Sequence, residues 1–109
     1  MKNLSLKQKI IQDISLIPKG RVVYFGMLGK RVGVSGQVVG WILSGMSERE
    51  NCPWHRVVAK NGFISSKKLG YKGFLQEQLL LKENVEVLDD KVDMDKYTWA
   101  FEDSSNSHV

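Results

Sequence analysis

The sequence predicts a mainly α domain with a short β hairpin, arranged as a winged helix-turn-helix. Three observations carry that expectation. Apolar residues recur at three- and four-residue spacing in the first segment. Two short helical segments then meet across the Gly33-Val34-Ser35-Gly36 turn, and an Asn61-Gly62 pair follows between apolar runs. The 109 residues leave room for one domain, assigned to residues 1–101, with the polar stretch 102–109 expected as a disordered tail.

Ser5-Leu6-Lys7-Gln8 reads as a capping box that opens a helix. Leu6, Ile10, Ile14 and Ile17 then form one apolar stripe, and Pro18 and Gly20 stop it. Arg21 to Phe25 is β-branched and aromatic, which predicts a short strand or extended link. From Phe25 to Val32 a short helix is expected, with Leu28 and Val32 on one face. Ser35 is the expected N-cap of a second helix, about Gln37 to Ser44, ended by Gly45. Arg56–Ala59 and Phe63-Ile64 flank Lys60-Asn61-Gly62 as the arms of the wing. Gly70 to Gly73 reads as a loop and Phe74 to Lys82 as a helix through Leu75, Leu79 and Leu80. Val85–Val87 and Lys91–Asp93, separated by Asp89-Asp90, predict a small terminal hairpin. There is no internal repeat and no interdomain linker.

No apolar run approaches the ~20 residues of a membrane span, and Lys7, Gln8, Lys9, Gln12 and Asp13 interrupt any leader-like core. A membrane is therefore not an expected partner. The lone cysteine, Cys52, cannot form an intramolecular disulfide, so a reducing cytoplasm is expected, with nucleoid association in a bacterium. His55 and His108 lie far apart, and neither a metal nor a cofactor is expected. Residues 1–76 hold 13 Lys/Arg against Asp13, Glu48 and Glu50, whereas residues 77–109 hold three lysines against nine acids. A basic body with an acidic end suits a polyanion-binding domain with its back to solvent.

The chemistry-bearing stretch is Asn51-Cys52-Pro53-Trp54-His55-Arg56-Val57-Val58. Taken alone, Pro53 to Arg56 reads equally as a buried core tryptophan beside a surface histidine. The stretch resembles the active-site signature of the O6-alkylguanine-DNA alkyltransferases, in which a cysteine stands where this chain has Trp54. Ile17-Pro18-Lys19-Gly20-Arg21-Val22-Val23 is similar to that family's Ile-Pro-x-Gly-x-Val, and Gly33 and Val39-Gly40 sit where its recognition helix carries small residues. Asn61-Gly62-x-Ile64-Ser65, Leu80 to Val87 and Tyr97-Thr98-Trp99 resemble the alkyltransferase-like subfamily in particular. The match covers roughly residues 10–100. An indole offers no thiolate for displacement. The pattern therefore looks like those non-enzymatic relatives, which bind alkylated guanine in DNA.

That resemblance implies the fold of the alkyltransferases' C-terminal DNA-binding domain. It also implies minor-groove docking, rotation of the damaged guanine out of the stack, and no transfer. The implied partners are double-stranded DNA containing O6-alkylguanine and nucleotide excision repair proteins, with the chain acting as a monomer. The implied lesion pocket comprises Pro53, Trp54, His55 and Phe25, with Lys67 or Lys68 near the subfamily's arginine over the base; for those lysines, phosphate contact is an equal alternative. The implied DNA contacts are Tyr24, Ser35, Gly36, Gln37, Trp41 and Arg56. His55 and Glu83 would be remnants of the base relay, and Arg56 an anchor of the site loop. Three departures stand out. Gln37 replaces the family's arginine finger, Phe25 replaces its phosphate-pushing tyrosine beside Tyr24, and Trp41 replaces a small residue. Two alternatives stay open: an atypical transferase using Cys52, and a winged-helix regulator of undamaged DNA.

Overall fold

The computed structural model describes residues 4–46, 52–64 and 71–101. Helix α1 spans Leu6–Ser15 behind the expected capping box: Ser5 Oγ accepts from the Gln8 N–H at 3.1 Å, and Gln8 Oε1 accepts from the Ser5 N–H at 2.9 Å. Ile10 and Ile14 are fully buried, and Ile17 joins them just past the helix. Strand β1 is only Val23–Tyr24, shorter than the expected Arg21–Phe25 segment, because Phe25 already opens α2 (Phe25–Val32). Helix α2 ends on Gly33 in the left-handed region at φ 86, and its N–H donates to the Gly29 carbonyl at 2.8 Å. Ser35 then caps α3 (Gly36–Ser44), accepting from the Val38 N–H at 3.3 Å. The two helices touch so closely at their starts that a Cβ on Gly36 would lie 2.9 Å from the Gly26 nitrogen. That contact sets the helix-turn-helix.

A short single-turn helix, Trp54–Arg56, leads into β2 (Val57–Val58), which pairs in parallel with β1 in the register Val23↔Val57 and Tyr24↔Val58. On its other side the β1 segment is covered by the chain's end, where Val22 donates to the Tyr97 carbonyl and Trp99 donates back to the Val22 carbonyl. Alternation along these strands separates two cores. Val23 and Val57 join Ile10, Ile14, Leu28, Val39 and Leu43. Val22 and Val58 join Ile64, Leu80, Val85, Val92 and Tyr97.

The wing is corrected in its pairing. Asn61-Gly62 does make a tight turn, with the Gly62 N–H on the Ala59 carbonyl at 2.8 Å and the Ala59 N–H on the Phe63 carbonyl at 3.0 Å. Among the described residues its arms form no ladder beyond that. Val57 and Val58 pair with β1, Phe63 bridges Lys91, and the Ile64 N–H donates to the Asp90 carbonyl. A two-residue hairpin turn of type I′ needs both central residues at positive φ, and at this turn only Gly62 has one, at 89°. The pair that satisfies the requirement is Asp89 (φ 52) and Asp90 (φ 62), between β3 (Val87–Leu88) and β4 (Lys91–Val92). The terminal hairpin is thus present, paired Val87↔Val92 and Leu88↔Lys91.

Helix α4 spans Tyr71–Lys82, so residues 71–73 are helical rather than part of a loop; Gly70 and the tail 102–109 lie outside the described residues. The short α5 (Met94–Tyr97), capped by the Asp93 carboxylate on the Asp95 N–H, had no sequence signal, because four residues are too few to show a period.

Candidate functional site

Pro53 feeds the single turn Trp54–Arg56, which is closed by the Arg56 N–H on the Pro53 carbonyl and the Val57 N–H on the Trp54 carbonyl. Trp54 is half-buried, and its ring meets the His55 ring edge-on, 6.4 Å between centroids and 88° between planes. His55 is buried. Behind it stands Glu83, just past the end of α4. Its carboxylate accepts from His55 Nε2 at 2.7 Å, from Arg56 Nη2 at 2.7 Å and Nε at 3.0 Å, and from the Gly20 N–H at 3.0 Å. Arg56 Nη1 continues to the Ile17 carbonyl at 2.8 Å. One carboxylate therefore ties the site turn, α4 and the chain leaving α1 together.

Burial would raise the Glu83 carboxyl, but Arg56, the Gly20 N–H and His55 outweigh it and hold it at about 2. Burial pulls the His55 imidazole below its usual value, and this outweighs the opposing attraction of Glu83. With Glu83 ionised it can only accept, so a neutral His55 carries its proton on Nε2. Such a pair is poised to orient and accept, yet the side chain at the adjacent position is an indole with no proton to give up for attack.

The other expected residues fall in different places. Phe25 packs on the first core, whereas Tyr24 is half-buried and lines an open groove of about 630 Å³ with Gly26, Met27, Lys30, Arg31 and Phe101. Tyr24 rather than Phe25 thus offers its ring to an open groove. Gln37, Trp41 and Ser44 point outward from α3 at helical spacing, and Trp41 is 64% exposed, so it widens the surface and does not cap a core. The Ser35 hydroxyl serves the helix cap, and Gly36 backs onto Gly26. Arg56 takes the anchoring role expected of it. Its guanidinium is turned inward onto Glu83 and Ile17, a brace that leaves little of it for phosphate. Lys67 and Lys68 lie outside the described residues. Cys52 is half-buried against the first core.

Gln76 was missed. It is 3% exposed, and its Nε2 donates to the His55 carbonyl at 3.1 Å and the Val57 carbonyl at 2.9 Å. The available signal was a polar residue among Leu75, Leu79 and Leu80 on α4.

Residues 5–85 match the family described as 6-O-methylguanine DNA methyltransferase, DNA binding domain. The DNA base-flipping protein of Escherichia coli is 34% identical over 100 residues, covering 89% of this chain and 76% of the relative. Its counterpart in Vibrio parahaemolyticus is 36% identical over 94 residues, covering 84% and 92%. The crystal structure of Schizosaccharomyces pombe Atl1, an alkyltransferase-like protein, in complex with damaged DNA containing O6-carboxymethylguanine superposes with a TM-score of 0.82 at 25% identity; the match covers 93% of this chain and 100% of that one.

Proposed function

The chain belongs to the family of the 6-O-methylguanine DNA methyltransferase DNA-binding domain, among its alkyltransferase-like members, and from that premise we propose a sensor of damaged bases. It binds DNA containing O6-alkylguanine through the helix-turn-helix of α2 and α3, docked on the minor groove. It rotates the lesion out of the stack and leaves it intact. One observation carries this reading: an indole occupies the place of an attacking sulfur inside an otherwise complete frame of His55, Glu83 and Arg56.

The energetics are consistent. Extrusion of a base costs a few kcal/mol, least for a base that pairs badly. Stacking on an aromatic side chain returns on the order of 1–3 kcal/mol per base, and half-buried Trp54 supplies such a ring. No thiolate at that position means no transfer. The sensor acts as a monomer in the cytoplasm and hands the marked site to nucleotide excision repair proteins.

The test uses a duplex with a single O6-methylguanine and its undamaged twin, titrated at one stated salt concentration, followed by intact masses of protein and DNA. Tighter binding to the lesion with unchanged masses is expected. A methyl mass on the protein would make Cys52 a nucleophile, and equal affinity for both duplexes would point to undamaged DNA as the target.

A further inference from the structure

Gln76, 3% exposed, is the most buried polar residue among the described residues. It sits between Leu75 and Glu77 in the helix that carries Leu80 into the second core. A buried amide carries a desolvation cost that a methionine of similar size would not. What Gln76 gains is two carbonyls, those of His55 and Val57, one on each side of Arg56. The amide nitrogen has two hydrogens, and these two bonds use both.

Glu83 lies seven residues further on, about 10 Å along a helical axis. There it takes the side chains of the same turn, His55 and Arg56. The α4 segment thus grips the turn twice: by its backbone at Gln76 and by its side chains at Glu83. A single turn of this tight helix has poor hydrogen-bond geometry of its own, and Trp54 is its first residue. Loosening the carbonyls would let the indole swing.

We propose that Gln76 is a positioning residue for lesion recognition: by holding the His55 and Val57 carbonyls, it fixes the turn that aims Trp54 at the extruded base. The proposal rests on the pocket reading above. Its test is Gln76→Met, which keeps volume and removes both donors. Duplex titrations should show lesion preference reduced about tenfold, the scale of two lost net hydrogen bonds, with affinity for undamaged duplex unchanged. In a second protein carrying Trp41→Phe and Trp99→Phe, Trp54 is the sole tryptophan, and its emission without DNA should shift when Gln76→Met is added. A folded Gln76→Met protein with unchanged preference and unchanged emission overturns the proposal. If that variant does not fold, Gln76→Asn replaces it, since an amide one methylene shorter cannot span both carbonyls; unchanged preference there overturns the proposal equally. If the unaltered protein shows no lesion preference, the pocket reading fails, and the Trp54 emission still decides whether Gln76 positions the turn.

Discussion

His55 Nε2 stands 2.7 Å from Glu83 Oε2, buried beside the Trp54 ring that its imidazole meets edge-on. Position 54 offers the pair no thiol to activate, and its contacts show what else it does. Glu83 also receives Arg56 and the Gly20 N–H, and Arg56 reaches the Ile17 carbonyl. The carboxylate holds three chain segments in place.

Glu83→Ala should therefore destabilise the fold strongly. It leaves a largely buried guanidinium and an imidazole without their acceptor. Breaking a buried pair by removing one partner costs about 3–5 kcal/mol, which in a domain of this size lowers the melting midpoint by ~10 °C or more. A thermal melt decides; a shift of a degree or two contradicts the bracing role.

The same pair predicts the response to acid. Glu83 titrates at about 2 in the fold against 4.5 otherwise, so its stabilisation is complete above 4.5 and is lost as pH falls toward 2. His55 also titrates lower in the fold, so below 6.5 the unfolded chain takes up a proton that the folded chain resists. Both effects remove stability as pH drops, the first stage beginning near 6.5. Melts from about pH 8 down to about pH 4 should give a steadily falling midpoint. A midpoint that rises on acidification would refute the assignment of a neutral imidazole.

Trp54→Ala should abolish discrimination between damaged and undamaged duplex, a loss of about 1–3 kcal/mol on the lesion, while binding to undamaged DNA persists. Equal weakening on both duplexes would remove Trp54 from the pocket. With Trp54→Cys, the His55 and Glu83 pair regains a thiol beside it, and a methyl mass on that variant after exposure to lesion duplex is the expected gain.

Trp41→Ala should weaken binding to damaged and undamaged duplex alike, because the ring lies on the outward face of α3 with Gln37 and Ser44 and is largely solvent-exposed. The fold should not suffer, since truncation of an exposed side chain leaves no cavity. Parallel titrations and a melt check this; a large drop in stability with unchanged affinity would place Trp41 in packing.

Much of the site was legible in the chain itself, because its signals are local. The capping box at Ser5, the Ser35 cap, the two short helices and the contiguous Pro53-Trp54-His55-Arg56 run each depend on neighbours in sequence. The chemistry that is missing was legible for the same reason, since a tryptophan carries no thiol wherever it is placed. The tertiary structure decided everything that joins distant residues. It brought Gln76 onto the site turn and supplied the geometry of the Glu83 and Arg56 contacts, which only the family resemblance had implied. It also paired β2 with β1 and not with the far arm of the Asn-Gly turn. Two-residue strands hold too little periodic signal to announce a partner. Their pairing follows from which valines can be buried on which side, and that is fixed only when both cores close.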